Sequence, residues 1–227
     1  MIAAVLFDLD ETLLDRTNSL VDFLADQHHR FNGRLGGPVF PAWRDEFFAL
    51  DRRGLVHKSL VYPALLTSFG GDATAANELL ADYRSRCSQF ARPIPGLIHT
   101  LSTIRSMNLP IGIVTNGGAE FQARTIDALG IRELVDAVLI SQAEGLRKPD
   151  RAIFERAAQR LGVPPRQCLF VGDSPAADIL GAHAAGMKTA WFRCGMTWPN
   201  ELESRPGPAI DTLAEVLRLI EEANKPG

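Results

Sequence analysis

The sequence predicts an α/β protein: a doubly wound (Rossmann-like), mostly parallel five-stranded core sheet with a small helical domain inserted near its start. Three observations carry this expectation. Five short apolar runs, at residues 2–7, 110–114, 137–140, 168–171 and 188–192, read as buried strands. Helical patterns separate the last four, as β/α alternation requires. The gap between the first two runs is far longer than a simple crossover needs, so it must hold an additional unit.

Taken in order, the first strand stops at the acidic stretch Asp8-Leu9-Asp10-Glu11-Thr12. Residues 1–15 and 93–227 form the predicted core domain, and residues 16–92 the inserted helical one. The insertion divides into helices over 19–31, 42–50, 58–69 (stopped by Gly70-Gly71) and 73–90, with Asp72 as N-cap. It holds seven of the twelve phenylalanines and both tyrosines, expected mainly as its own core. Arg92-Pro93-Ile94-Pro95-Gly96 is a stiff return linker, and residues 96–107 give the ordinary crossover helix. Farther on, Gly130, Gly162 and Gly186 each sit between a helical pattern and an apolar residue, where a left-handed C′ position belongs.

Composition narrows the function classes. Apolar residues at 46% and charged residues at 22% describe an ordinary globular protein. A net charge of −3 gives no reason to expect nucleic acid or an anionic membrane as partner. Cys87, Cys168 and Cys194 are too scattered for a disulfide framework or zinc site. The N-terminal apolar stretch lacks a basic flank and is broken at Asp8, so it reads as a strand and not a signal peptide. No apolar run is long enough to span a bilayer, and the cytoplasm is the expected compartment. The insertion carries 10 Lys+Arg against 8 Asp+Glu, about +2; the remainder carries 14 against 19, about −5. Nothing in the sequence sets an oligomeric state.

Four segments at predicted strand ends carry the candidate chemistry. Asp8 and Asp10 stand two positions apart, a costly pairing unless a cation neutralises it or one carboxyl stays protonated. On its own the segment reads equally well as a capped strand end. Thr115-Asn116-Gly117-Gly118 offers a hydroxyl, an amide and backbone donors to an oxyanion, or else an ordinary N-cap. Lys148-Pro149 places a cation ahead of a proline-started helix. Asp173 is placed to complete a metal site, and Asp178 to support it or favour a helix N-terminus. Ligands of open α/β sheets bind at the carboxyl ends of the strands, where winding reverses. If the first strand is central, with the second and fourth beside it, three carboxylates, Thr115 and Lys148 converge there, a set suited to phosphoryl transfer.

These four motifs, in this order, resemble those of the haloacid dehalogenase-like (HAD) superfamily, in the subgroup with a helical cap inserted after the first motif. The resemblance covers essentially the whole chain. It implies a phosphatase acting on a small phosphorylated metabolite through an aspartyl-phosphate, with Mg²⁺ as cofactor. Asp8 would be the nucleophile and Asp10 the general acid/base. Thr115, helped by Asn116, would bind the phosphoryl group, and Lys148 would stabilise charge on Asp8 and phosphate. Asp173, Asp8 and the Asp10 carbonyl would ligate the metal, with Asp178 as a possible outer support.

The alternative is a phosphomutase, which shares this chemistry and differs in what accepts the phosphoryl group. A 2-haloacid dehalogenase is less favoured, because enzymes of that type typically lack the second aspartate and Asp10 is present. Substrate choice is expected to depend on the cap. There the cation-rich turn from Asp51 to Lys58 nominates Arg53 and Lys58 as substrate contacts, against the alternative of a solvated helix connection.

Overall fold

A computed structural model of the protein describes residues 1–202 and 205–225. The chain divides into two compact units, Thr17–Ala91 and the combination of Met1–Arg16 with Arg92–Gly227.

The inserted unit is helical: α1 (Arg16–Phe31), α2 (Phe40–Asp51), α3 (Lys58–Phe69) and α4 (Ala76–Arg86). Phe23, Trp43, Phe47 and Tyr62 are fully buried, with the Phe47 and Tyr62 rings 5.8 Å apart. Gly70 closes α3 in the left-handed conformation, at φ 64°. The single helix expected over 73–90 is three pieces. Asp72 caps a short 3₁₀ turn by accepting from the Thr74 N–H at 2.9 Å, α4 follows, and a second 3₁₀ turn covers Cys87–Phe90.

The larger unit is built on six strands: β1 (Ala4–Phe7), β2 (Ile111–Thr115), β3 (Ala137–Ile140), β4 (Cys168–Gly172), β5 (Lys188–Phe192) and β6 (Ala209–Ile210). They lie in the order β3-β2-β1-β4-β5-β6, all parallel. The sixth strand was not expected from the sequence. It has only two residues and pairs Trp191 with Ala209 and Phe192 with Ile210, a segment too short to carry a periodicity.

Around the sheet lie α5 (Leu97–Ser106), α6 (Ala119–Ala128), α7 (Ser141–Glu144), α8 (Arg151–Arg160), α9 (Gly181–Ala184) and α10 (Ala214–Asn224). Leu6, Val114, Leu139, Phe154 and Phe170 belong to one buried cluster, with Phe154 and Phe170 edge to face at 5.0 Å. The helix stops at Gly130, Gly162 and Gly186 all take positive φ, as anticipated. Helix α8 departs from expectation at its start: Asp150 caps it, accepting from the Ala152 N–H at 3.0 Å, so Pro149 stands outside the helix.

β1 is central, between β2 and β4, so the winding reverses beside it. The chain leaves and re-enters this unit through adjacent segments. The Asp15 N–H donates to the Arg92 carbonyl at 2.8 Å, and the Ile94 N–H to the Leu13 carbonyl at 2.9 Å. No described helix is long and apolar enough to cross a membrane.

Candidate active site

Asp8 follows β1 directly and extends its alignment with β4, its N–H donating to the Val171 carbonyl at 2.9 Å. The chain then turns sharply. The Leu9 carbonyl accepts from the N–H groups of Leu13 and Leu14, both at 2.9 Å, and Glu11 takes a left-handed φ of 58°. Leu9, Leu13 and Leu14 are buried and anchor this turn from within. Two carboxylates are thus held at the carboxyl end of the central strand.

Lys148 reaches the same place from the segment after α7. Its buried Nζ lies 2.5 Å from Asp8 Oδ1 and 2.6 Å from Asp178 Oδ1. Asn116 fixes its main chain: the Asn116 Nδ2 donates to the Lys148 carbonyl, and the Lys148 N–H to Asn116 Oδ1, both at 2.9 Å. Asn116, expected to assist phosphoryl binding, therefore spends both ends of its amide on the lysine backbone. Two of the loop's backbone donors are also engaged. Gly117 N–H donates to Ser141 Oγ at 2.9 Å and Ala119 N–H to Gln142 Oε1 at 2.8 Å. The Gly117 N–H, one of the oxyanion donors expected from this loop, is thus used to fix it.

Asp173 and Asp178 come from the end of β4. A carboxylate oxygen of each lies within 4.8 Å of one from Asp8, and all three residues are buried. Asp178 accepts from the Ser174 N–H at 2.9 Å. Gly172 makes room for it, because a Cβ there would fall 2.5 Å from Asp178 Oδ2. The Trp191 indole N–H donates to the Asp173 carbonyl at 2.8 Å, tying the loop to β5. The carboxylate of Asp10 stands outside the three-carboxylate group. Gln122 Nε2 donates to it at 3.0 Å and to Thr115 Oγ1 at 2.8 Å. Sequence reasoning missed Gln122 because a glutamine in the first turn of an amphipathic helix reads as a surface residue, yet it is 2% exposed. Its spacing of seven residues from Thr115, across a tight loop, was the available signal.

Electrostatics follow from this crowding. Burial pushes the Asp8 carboxyl well above the usual carboxylate range; Lys148 opposes the shift, while Asp178, Asp173 and Asp10 add to it. Burial disfavours the Lys148 charge, but Asp178 and Asp8 outweigh it and hold the ammonium above the ordinary lysine range. Two of the three buried carboxylates, Asp8 and Asp178, pair with the buried Lys148 ammonium, and Asp173 lies beside them, so the group carries more carboxylates than this cation balances. The donors are all hard carboxylate oxygens, which suits a small divalent cation such as Mg²⁺. The residues present thus fit a metal of that class.

In the inserted unit, Lys58 is 9% exposed and its ammonium pairs with Asp51, itself fully buried. Asp51 also accepts from the Gly54 N–H at 2.8 Å. Lys58 thus serves as a buried structural cation in the turn, not the open substrate contact expected of it. Arg53 lies exposed on that turn at φ 58°.

Comparison with known proteins agrees with this architecture. The profile of the haloacid dehalogenase-like hydrolases matches residues 2–186. The chain is 32% identical to a glyceraldehyde 3-phosphate phosphatase of Methanopyrus kandleri, over 99% of this chain and 100% of that one. It is 28% identical to a phosphoglycolate phosphatase of Nitrosococcus oceani, over 96% of each. Among solved structures, YfnB of Bacillus subtilis, described as a HAD-hydrolase and solved bound to magnesium, superposes with a TM-score of 0.76. It is 25% identical, and the match covers 96% of this chain and 98% of that one.

Proposed function

Because the chain belongs to the haloacid dehalogenase-like hydrolases, we propose that it is a Mg²⁺-dependent phosphatase that hydrolyses a small phosphate monoester through an aspartyl-phosphate on Asp8. The observation that carries this reading is the buried set of Asp8, Asp173 and Asp178 around Lys148, with Asp10 and Thr115 joined to each other through Gln122. The phosphatase names of the full-length relatives support it.

Asp8, Asp173 and Asp178 offer the carboxylates that would hold Mg²⁺, with Asp10 contributing its carbonyl. Bound there, the ion supplies positive charge that keeps Asp8 ionised and offsets the charge of the phosphoryl oxygens.

In the first step an Asp8 carboxylate oxygen attacks phosphorus in line. The Asp8–phosphorus bond forms as the bond to the leaving oxygen breaks, and Asp10 gives that oxygen its proton. In the second step Asp10, now deprotonated, takes a proton from water as the water oxygen attacks phosphorus. The Asp8–phosphorus bond breaks, phosphate leaves, and Asp10 is again protonated. Thr115 donates to a phosphoryl oxygen. Lys148 stabilises negative charge on Asp8 before attack and on the phosphoryl group after it.

Residues 16–92 act as the cap that selects the leaving group, and the substrate is a small phosphorylated metabolite. The cytoplasm, where such metabolites are made, is the proposed place of action, in keeping with three cysteines in thiol form. A screen of phosphate esters with and without Mg²⁺ tests the whole reading. Phosphate release that needs the ion is the expected result, and full activity in excess chelator would refute it. Conversion of a sugar phosphate to its isomer without net phosphate release would favour a mutase.

A further inference from the structure

Gln122 lies in the first turn of α6, sealed from solvent, and its Nε2 faces three acceptors: Thr115 Oγ1 at 2.8 Å, Asp10 Oδ2 at 3.0 Å and the Asn116 carbonyl at 3.4 Å. An amide nitrogen carries two protons, and the two shorter contacts account for them. Chemistry fixes which end points inward. A carboxylate and a carbonyl only accept, so the reversed amide would set Oε1 against both.

The other end of the amide supports a functional reason for this residue. Gln122 Oε1 is buried with no hydrogen-bond partner among the described residues. A buried acceptor left unpaired costs about 1–3 kcal/mol, which a methionine or leucine of similar volume would avoid. Packing alone does not explain a glutamine here; what its nitrogen holds does. The loop is shaped around it as well. A Cβ on Gly117 would lie 2.9 Å from Gln122 Cγ and 3.1 Å from its Nε2, so the glycine leaves the space that the amide occupies.

We propose that Gln122 is a positioning residue that aims both the acid/base and the phosphoryl-binding hydroxyl. By occupying Oδ2 of Asp10 it turns Oδ1 toward the leaving oxygen. By donating to Thr115 it uses that hydroxyl as an acceptor, which directs the threonine's own proton to a phosphoryl oxygen. This inference rests on the phosphatase reading and extends it to a residue outside the four motifs.

The test uses the Mg²⁺-loaded full chain and two esters: an alkyl phosphate, whose leaving oxygen must be protonated, and p-nitrophenyl phosphate, whose leaving group departs unprotonated. The quantity read is kcat/KM, which reports steps up to formation of the aspartyl-phosphate. In Gln122→Met, kcat/KM for the alkyl ester should fall roughly 10–100-fold, a part of the full general-acid contribution. The aryl ester should fall by several-fold less, because it loses the aim of the Thr115 hydroxyl but needs no proton from Asp10, and Tm should stay within a few degrees. Thr115→Val should reduce both esters alike. Gly117→Ala keeps the amide but displaces it, and should give the same selective loss in weaker form; it decides the matter if Gln122→Met does not fold. Equal losses on the two esters in the Gln122 and Gly117 variants would show a merely structural role and overturn the proposal. A wild-type enzyme inactive on every phosphate ester would instead overturn the phosphatase reading and this inference with it.

Discussion

Lys148 and Asp178 form an ion pair at 2.6 Å in which the two side chains are 3% and 1% exposed. Asp178 thereby does more than favour a helix N-terminus: it holds the ammonium that also pairs with Asp8. Removing one partner of a buried pair leaves the other uncompensated, at a cost of about 3–5 kcal/mol. Lys148→Met should therefore unfold at markedly lower temperature in chelator and lose turnover. Added Mg²⁺ should raise its Tm by more than it raises that of wild type, because the ion then meets more unbalanced negative charge. Equal shifts would show that the lysine and the metal do not share these carboxylates.

Metal binding should be visible without any substrate. A ligand that binds only the folded state at 100 times its Kd stabilises it by about 2.7 kcal/mol. Chelator-treated protein should therefore melt at a higher temperature as Mg²⁺ is titrated in. Asp173→Asn, which removes one charge from the three-carboxylate group, should weaken that response at least tenfold in midpoint concentration, on the order of 1.4 kcal/mol. An unchanged midpoint would remove Asp173 from the metal site.

The two aspartates of the first motif should separate by kinetics. Asp8→Asn should abolish turnover and any covalent phospho-enzyme. Asp10→Asn should slow turnover by roughly 10²–10⁴-fold, the usual contribution of general acid–base catalysis, with the larger effect on esters of poor leaving groups. Mapping the phospho-adduct of acid-quenched wild type to any residue other than Asp8 would overturn the assignment.

Stability should respond to acid through Glu144, at the end of α7. Arg156 reaches Glu144 Oε2 at 3.0 Å and Arg160 reaches Oε1 at 2.8 Å. Burial pushes this carboxyl up, but the two guanidinium groups together outweigh it and hold the group below its usual range. The depressed value means that the unfolded chain binds the proton more tightly. The stabilisation is fully present above the unfolded pKa of about 4.3 and disappears as pH falls through the folded one. Glu144→Gln should lower stability near neutrality by about 1 kcal/mol, or roughly 2–4 °C in Tm, and the two melting curves should converge as pH falls below the depressed folded value.

Much of this architecture was legible because buried parallel strands are written as short apolar runs, and because open sheets place their polar site residues directly after them. The expected strand over 137–140 coincides with β3, and Asp8, Lys148, Asp173 and Asp178 meet in space. What stayed hidden depended on partners distant in sequence. Gln122 is unremarkable in a helix until Asp10, 112 positions away, lies beside it. Asn116 resembles an N-cap until its amide is seen clamping the Lys148 backbone. β6 has too few residues for any pattern, and 3₁₀ turns at both ends of α4 replace one expected helix by three pieces. Lys58 misled for a physical reason: a lysine in a cation-rich turn is ordinarily solvated, and its burial depends on Asp51 seven residues earlier.

That turn yields the last prediction, because its two nominated cations should behave differently. Lys58 pairs with the buried Asp51 and lies 5.4 Å from the Tyr83 ring. Lys58→Ala should strand the Asp51 carboxylate and destabilise the inserted unit by about 3–5 kcal/mol. Activity should then fall on every ester as the fraction of folded protein falls. Arg53 is exposed and held in a left-handed backbone conformation, at φ 58°. Such conformations cost about 1–3 kcal/mol where a non-glycine residue adopts them, and they concentrate at functional positions. Arg53→Gly should relieve the strain and preserve or raise Tm, and, if the inserted unit selects the leaving group as proposed, lower kcat/KM for the preferred ester more than for p-nitrophenyl phosphate. Measuring Tm and kcat/KM on both esters for each variant separates the two roles. A stable Arg53→Gly enzyme with unaltered preference would return this turn to a solvated connection, whereas a stable Lys58→Ala enzyme would show that its pair with Asp51 contributes little.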